Sequence, residues 1–420
     1  MNKTDHHHQR NKTREQKQSH LSPALVMLLA CAAGLSVANV YYAQPLLDLI
    51  AQDFKLDYSW AGLVVSLTQV GSIIALIFIV PLGDLLPRKS LMLFQSIILC
   101  LALISLVFSD HIFTLLLSML IVGMLGTAMT QGLIVYASVL AAADERGKIV
   151  GTVQAGVLIG ILLSRVLSGS LADWFGWQGV YIFSVLCMSM ISVFLWKYLA
   201  VIRIEKDPIQ QSTYSQMIFS LFEQLFKNRV LQIRGVLAFI IFVNLNLFWN
   251  ALVFPLSVQP FEYSHSLIGF LGIIGAIGAV MAIRVGGLAD RGYAQRVTQY
   301  AFLLLIGAWV ILTSLYFSIW IFILAIILLD VAIQSVHVIN QSLIFQADIR
   351  LHGRLVGTYM LFYALGSAVG SLLATTLYGH WGWYAVCAAG VLLSVVGYLF
   401  WLFTEKYLIQ FQMKQHASSV

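Results

Sequence analysis

The chain repeats itself at a fixed interval: residues 147–177 read GKIVGTVQAGVLIGILLSRVLSGSLADWFGW, and residues 353–383 read GRLVGTYMLFYALGSAVGSLLATTLYGHWGW. Six Gly, Thr and Trp residues match without a gap, each 206 positions after its counterpart, and the pairs are Gly147/Gly353, Gly151/Gly357, Thr152/Thr358, Gly160/Gly366, Gly176/Gly382 and Trp177/Trp383. This agreement extends across two apolar runs and the turn between them. It indicates that the two halves of the chain are copies of one structural unit.

Composition identifies the environment of these units. Hydrophobic residues make up 60 % of the 420 residues and charged residues only 10 %, whereas about a quarter of a soluble domain is charged. Runs of about 20 apolar residues are long enough to cross a bilayer as helices. We therefore predict an all-α membrane protein with twelve spans, at residues 22–44, 61–82, 90–108, 112–139, 149–171, 179–199, 233–256, 267–288, 297–316, 320–345, 355–377 and 383–404.

Positive charge alternates along the chain. Of the 24 Lys and Arg, 22 lie in the N-terminal segment, in every second gap between spans or in the C-terminal tail, and the exceptions are Lys55 and Arg165. Because positive loops stay on the cytoplasmic side, we predict that both termini are cytoplasmic, with residues 1–20 and 406–420 as polar tails. The net charge of +6 is then explained by cytoplasmic loops that face anionic lipid, and we expect no binding of nucleic acid.

The one long polar break, at residues 201–230, divides the chain into predicted six-helix bundles at 21–200 and 231–405. Two parallel repeats around a central site are typical of transporters in which two bundles rock against each other. Within this linker, apolar residues recur at helical spacing, at Ile218, Leu221, Phe222, Leu225 and Phe226. The pattern predicts an amphipathic helix on the membrane surface, with a partner-binding helix as the alternative.

Two loops resemble the signature of the major facilitator superfamily, G-x-L-a-D-R. The second-half loop, GGLADR at 286–291, fits it, whereas the first-half loop, PLGDLLPRK at 81–89, has Pro87 at the usual acidic place. The resemblance covers residues 20–405 and implies the twelve-helix fold of that superfamily, in two pseudo-symmetric bundles that work by alternating access. It also implies a cytoplasmic gate, for which helix anchoring is the alternative reading. The gate residues would be Gly83, Asp84, Arg88, Gly286, Asp290 and Arg291.

Within the superfamily, NVYYAQPL at 39–46, DVAIQ at 330–334 and the pair Asn340-Gln341 resemble a bacterial branch of the twelve-span drug:proton antiporters. The members of that branch are mostly uncharacterised. The resemblance implies efflux of a small organic solute or drug across a bacterial cytoplasmic (inner) membrane, with protons as the coupling partner. We also expect a monomer in the lipid bilayer.

Arg165 and Asp330 are the charges that the sequence places deep within spans. An ionised side chain at a helix centre costs about 3 kcal/mol on insertion scales, so a functional role is the default interpretation. With 1.5 Å of rise per residue, Arg165 lies about 12 Å and Asp330 about 15 Å from the outer ends of their spans. We predict that they form, or alternately form and break, an ion pair across the two halves. Withdrawal of Arg165 would then let Asp330 take up a proton, and a static structural pair is the alternative.

A polar stripe follows one face of span ten, at Asp330, Gln334, His337 and Gln341. Polar groups within lipid must face protein or water, so we expect this stripe to line the substrate cavity. His337 would relay protons or only form a hydrogen bond with its neighbours. The superfamily also lines its cavity with spans one, four and seven, although interhelical hydrogen bonding would equally explain polar residues there. The residues in question are Asn39, Tyr42, Gln131, Asn246, Trp249 and Asn250.

Span five departs from the antiporters of the superfamily, which carry G-P-x-x-G-G where residues 164–169 read SRVLSG. Efflux therefore rests on the resemblance to the branch, and proton coupling rests on Arg165 and Asp330. Proton symport or uniport of a sugar or carboxylate remains open, as does a non-transporting membrane sensor. The chain contains no HExxH, nucleophile-elbow or GxxxxGK[ST] motif, so we expect no enzyme, no metal and no cofactor.

Overall fold

The computed structural model describes residues 21–142, 144–200, 213–347 and 352–418, and every regular element within these ranges is helical. The α-helices, in chain order, are α1 (Pro23–Tyr41), α2 (Leu47–Asp53), α3 (Tyr58–Ile74), α4 (Arg88–Val107), α5 (Ile112–Leu140), α6 (Arg146–Tyr198), α7 (Tyr214–Lys227), α8 (Arg229–Ala251), α9 (Val253–Ser257), α10 (His265–Leu288), α11 (Ala294–Leu312), α12 (Ile319–Ala347) and α13 (His352–Ser418). The predicted all-α class is confirmed.

Within the described ranges, nine helical stretches are long and apolar enough to cross a membrane. Two of them, α6 and α13, are broken in the middle at a glycine, and α10 adds a further apolar helix. The arrangement is consistent with the twelve predicted spans. Large apolar side chains such as Phe94, Leu186 and Phe403 are exposed on the helices, as a lipid environment allows.

The breaks in α6 and α13 fall on one pair of the sequence repeat. Gly176 has φ 70° and Gly382 has φ 72°, a left-handed conformation that only glycine adopts without strain. The tryptophan that follows each of them is buried and donates its indole N–H inward, Trp177 to Asp53 Oδ2 at 2.6 Å and Trp383 to the Leu312 carbonyl at 3.0 Å. Each repeated Gly-Trp pair therefore forms the turn from one span into the next and anchors that turn.

Another repeated glycine pair brings helices into close contact. A Cβ atom on Gly160 would collide with the backbone of Gly34 in α1, and one on Gly366 would collide with the backbone of Phe239 in α8. Small residues at such crossings let helices approach closely, which is the main source of packing energy between spans in lipid. The same kind of crossing thus joins the first and fifth spans of each half.

Residues 201–212 of the linker lie outside the described residues, and α7 occupies the rest. Its first turn has a capping box between Thr213 and Gln216, and Lys227 binds Glu223 at 2.6 Å. Leu221 is buried, whereas Phe219 and Phe226 are 72 % and 75 % exposed. The amphipathic helix is therefore present, and its seat on the membrane surface stays a prediction.

The structure corrects two details of the predicted spans. The first span was expected to end at residue 44, but α1 ends at Tyr41 and the short helix α2 follows, both before the second span. Arg234 was assigned to a cytoplasmic gap, yet it is fully buried in α8. It donates to Thr298 Oγ1 and Asn340 Oδ1 at 3.2 Å and to Gln295 Oε1 at 3.0 Å. The charge count missed this site because neutral acceptors that solvate an arginine leave no signal in a hydropathy pattern.

The two ends of the bundle differ in their charges. Loops 108–111, 258–264 and 313–318 contain no Lys or Arg, and we call their end the cation-poor end. Arg88, Arg146 and Arg291 lie at the opposite, cation-rich end. The described contacts between the halves, set out below, concentrate at the cation-poor end and at mid-depth.

Candidate substrate cavity between the two bundles

Arg165 lies where the N-terminal and C-terminal halves meet, on α6 against α10. Gly269 packs against the Arg165 carbonyl, and a Cβ on Gly272 would lie 3.1 Å from Arg165 Cδ. The side chain is 7 % exposed. Two glycines on α10 thus make the room in which a guanidinium is held at the interface.

Gln44, in the turn between α1 and α2, and Trp249, on α8, hold the Arg165 guanidinium. Its Nε donates to Gln44 Oε1 at 3.2 Å, and its central carbon lies 4.1 Å from the ring centroid of Trp249. Gln44 in turn donates through Nε2 to Asn246 Oδ1 at 3.2 Å. A stacked guanidinium with one side engaged is oriented rather than neutralised, because no carboxylate takes part.

Asp330 lies on α12, on the other side of Trp249. A Cβ on Gly275 would collide with Asp330 Oδ2 and would lie 2.9 Å from Trp249 Cζ2, so the carboxylate and the indole meet over this glycine. Asp330 is 4 % exposed. It is not within ion-pair distance of Arg165. The predicted pair is therefore open in this conformation, and its formation in another conformation stays a prediction.

The polar stripe of α12 runs from Asp330 toward the cation-rich end. Asp330 is buried, and Gln334, His337 and Gln341 each retain partial exposure. His337 Nδ1 lies 2.8 Å from the Tyr359 hydroxyl, and its ring packs edge-on against Phe242. His337 thus has a hydrogen bond with a neighbouring residue, which was one of its two predicted roles, and the other role, proton relay, stays a prediction.

At the cation-poor end the halves are joined by His265, the first residue of α10. Its Nε2 lies 2.9 Å from Asp48 Oδ2 on α2, and its Nδ1 lies 3.4 Å from Asp173 Oδ1 on α6. Asp173 also accepts the backbone N–H groups of His265 and Ser266 at 3.0 and 2.8 Å. A carboxylate is well placed there because the first N–H groups of a helix have no partners of their own.

These carboxylates change the proton affinity of the His265 imidazole, which lies before the membrane-spanning part of α10. Burial alone would lower the pKa of His265, but the hydrogen bond and charge of Asp48, together with the charge of Asp173, outweigh it and raise the pKa above the ordinary 6.5. The cluster is therefore a latch that is strongest when His265 is protonated. We call these three residues the His265 latch.

Further contacts between the halves continue from the cation-poor end to mid-depth. Tyr58 packs against Phe254 with ring centroids 4.8 Å apart, and Ser66 Oγ donates to the Ala368 carbonyl at 2.8 Å. The hydroxyls of Tyr41 and Tyr363 are hydrogen-bonded to each other across the interface. This conformation is thus closed from the cation-poor end down to the level of Arg165.

Comparison with known proteins agrees with this architecture. The family description Major Facilitator Superfamily matches residues 29–357. The chain belongs to the major facilitator superfamily. It is 37 % identical over 386 residues to the uncharacterised transporter YgaY of Escherichia coli O157:H7, which covers 92 % of this chain and 97 % of that protein.

Solved transporters of the superfamily share the fold. The nucleoside transporter NupG has a TM-score of 0.75 at 14 % identity, with 90 % of this chain and 99 % of NupG covered. A bacterial homologue of the human lysosomal transporter Spinster has a TM-score of 0.74 at 13 % identity, with 91 % and 96 % covered. At these identities the likeness establishes the fold alone, and the chain is a transporter of the superfamily type.

The superfamily loop of the first half does not reach across the interface here. Asp84 binds Arg88 at 2.7 Å, within its own loop, and a Cβ on Gly83 would lie 4.0 Å from Arg88 Nη1. Arg291 is exposed, and the side chains of Gly286 and Asp290 lie outside the described residues. Among the described gate residues, the ion pair therefore closes a loop and does not join the halves.

The structure distributes the other predicted cavity residues unevenly. Trp249 contacts Arg165 directly and Asn246 is linked to it through Gln44. In contrast, Asn39 accepts a hydrogen bond from Ser184 within the N-terminal bundle, and Tyr42 is buried near Tyr181. Asn250 donates to Ser371 at 3.0 Å, and Gln131 is partly exposed on α5. No group of three His, Cys, Asp or Glu side chains among the described residues could hold a metal ion.

Three residues at the interface between the halves, Gln44, Tyr41 and Tyr363, were not predicted from the sequence. Gln44 lies in the NVYYAQPL stretch that carried the family resemblance, yet its contact with Arg165 could not be read from it. Tyr41 and Tyr363 join the halves, and Tyr363 packs against Phe242 at 4.0 Å. Their signal was weak because a tyrosine in an apolar span is ordinary packing material.

Proposed function

We propose that this transporter exports a small organic solute from a bacterial cytoplasm in exchange for protons, and that both of its termini are cytoplasmic. The observation that carries the proposal is a pair of opposite buried charges, Arg165 and Asp330, on helices of different halves. Neither charge is neutralised by the other in this conformation. Ionisable residues inside a membrane are costly and mark ion or substrate pathways.

The separation of the two charges supports a coupling role over a static one. A pair that only locked helix packing would be closed whenever the halves are in contact. Here α6 and α10 are in contact, and Trp249 lies between the charges instead. In the proposed cycle, Asp330 carries a proton in one conformation and exchanges it for substrate in the other. The distance between Arg165 and Asp330 modulates that exchange, because a nearby guanidinium favours the ionised carboxylate.

The polar stripe of α12 supports the direction of access. With the cation-rich end in the cytoplasm, the partly exposed Gln334, His337 and Gln341 lead from Asp330 toward the cytoplasm. The His265 latch closes the opposite, periplasmic side. Substrate would then enter from the cytoplasm in this conformation, and the gate loops would close when the latch opens.

Proton flux in energised everted vesicles tests the proposal. A panel of drugs, sugars and organic acids is added to vesicles that contain wild type, Asp330→Asn or the exposed control Asp110→Asn. We expect at least one compound to release the pH gradient in wild type and in the control but not in Asp330→Asn. Release that persists in Asp330→Asn would exclude Asp330 from coupling. Alkalinisation outside intact cells on addition of a sugar or carboxylate would instead favour symport.

A further inference from the structure

The Arg165 guanidinium has unused binding capacity. Nε is occupied by Gln44, but the two terminal amino groups make no hydrogen bond to any described residue. Two polar side-chain atoms of this region, Trp249 Nε1 and Asn250 Oδ1, are fully buried and have no hydrogen-bond partner. The terminal amino groups of Arg165 are not among such atoms. The free edge of a guanidinium matches a carboxylate, which it binds through two parallel hydrogen bonds.

The Asp330 carboxylate also lacks a counter-ion. It forms no ion pair with the described residues, and the donor that lies against it is the indole N–H of Trp249. Trp249 is itself only 4 % exposed. A buried carboxylate that has a neutral donor but no counter-charge can still bind the positively charged group of a ligand.

Both charged side chains lie against the same helix, α10, so a single ligand can contact both. Arg165 packs over Gly272 and Asp330 over Gly275 on one face of α10. Residues three apart on a helix face are about 5–6 Å apart, which puts the two charged groups within about 10 Å of each other. The ring of Trp249 forms the surface between them. A ligand that spans this space meets a cation at one end, an aromatic face in the middle and an anion at the other end.

We propose that the substrate class is a zwitterion with an apolar side chain, such as an aromatic amino acid or a short peptide. Its carboxylate binds the free edge of Arg165, its ammonium group binds Asp330, and its apolar part lies on Trp249. A ligand with one charge leaves the opposite buried group unpaired, so the site discriminates against it. Gln44, itself held by Asn246, is a positioning residue that fixes the plane of the guanidinium.

This inference rests on the proposed function and gives it a mechanism. Asp330 holds either the ammonium group or a proton, so protonation from the periplasm releases the zwitterion. A net neutral substrate also leaves the summed charge of the site unchanged. Its binding therefore needs no further buried counter-ion.

Binding to the purified transporter in lipid nanodiscs tests the proposal without a proton gradient. The probes are L-phenylalanine and the dipeptide Leu-Phe, each with two single-charge analogues. The methyl esters keep only the ammonium group, and 3-phenylpropionate and N-acetyl-Leu-Phe keep only the carboxylate. We expect each zwitterion to bind roughly tenfold or more tightly than either of its analogues in titration calorimetry, since each analogue forfeits one charge-assisted contact.

Charge variants assign the two ends. Arg165→Gln should abolish the preference for the zwitterion over the ester, and Asp330→Asn should abolish the preference over the acid. Arg165→Lys and Asp330→Glu keep the charges and serve as controls for folding and for the position of each charge. Gln44→Leu should weaken the zwitterion and the acid alike and leave the ester unchanged.

The outcomes separate this inference from the proposed function. Equal binding of zwitterions and single-charge analogues, or no binding of either zwitterion, overturns the zwitterion site. If the vesicle assay still finds an antiported cation or drug, antiport survives without it. If the zwitterions bind with the expected preference but move no protons, the site stands and antiport fails.

Discussion

Removal of the titratable group of the His265 latch, by His265→Gln, should open the cation-poor end. The imidazolium lies 2.9 Å from Asp48 and 3.4 Å from Asp173, and both carboxylates are mostly buried. A hydrogen bond between charged groups contributes about 1.5–3 kcal/mol. The longer contact adds little, and Asp173 still accepts the backbone N–H groups of residues 265 and 266 in the variant. We therefore take about 2 kcal/mol, which corresponds to about a 30-fold change in the ratio of closed to open molecules.

The same reasoning fixes the pH dependence. The pKa of His265 is raised above 6.5 in the closed conformation, so closure is favoured most at pH values below the pKa that this histidine has in the open conformation. The extra stability of the closed conformation is lost as the pH rises through the raised pKa. The closed population should thus fall with rising pH above about 6.5 in wild type and stay flat over that interval in His265→Gln.

Distances between spin labels at Asp110→Cys and Phe317→Cys, one on each half at the cation-poor end, measure the opening in a background without native cysteines. Both positions are exposed. His111→Gln, an exposed histidine at the same end, is the matched control and should behave as wild type. A distance distribution in wild type that is independent of pH, or an unchanged pH profile in His265→Gln, would refute the latch.

Three further predictions concern packing. Gly275→Ala should reduce transport about tenfold or more without unfolding, because its Cβ displaces Asp330 or Trp249, whereas Gly307→Ala, with open space around it, should be silent in the same flux assay. Gly176→Ala should lower the free energy of unfolding by about 1–2 kcal/mol because its φ is 70°, as measured by thermal unfolding in detergent, and an unaltered midpoint would contradict this. Arg234→Ala should cost about 3 kcal/mol in the same assay, because three buried acceptors each lose a hydrogen bond. The exposed Arg229→Ala, which loses only a cation–π contact with Tyr407, should cost less than about 1 kcal/mol.

Long-range periodicity predicted the fold, and it did so because lipid leaves few alternatives. A backbone in hydrocarbon must satisfy its own hydrogen bonds, so each apolar run becomes a helix. The repeat then relates the halves, as the equal conformations of Gly176 and Gly382 confirm. What the patterns could not supply was α2 and the buried Arg234, since both depend on which neutral residues surround a short or charged segment.

The sequence singled out the two charges of the candidate site, together with Asn246 and Trp249, but not how these residues are arranged. Depth along the spans placed Arg165 and Asp330 at a similar level, and the structure puts both against α10. The insertion of Trp249 between them was not predictable, because it depends on how helices that are distant in the sequence pack against each other. Gln44 was equally hidden, since it lies in the short turn between α1 and α2 that the span pattern merged into one crossing.

Helix α10 connects the latch to the central charges, and this connection explains how one end of the molecule can report to the middle. His265 begins the helix, and glycines follow every third or fourth residue on the face that meets the N-terminal half and α12. Gly269 and Gly272 contact Arg165, and Gly275 and Gly278 contact Asp330. A rigid helix held at its first residue cannot tilt without changing all of these contacts together. Release of His265 is therefore expected to alter the distance between Arg165 and Asp330, so opening of the latch and the affinity of the central charges for a solute should change together.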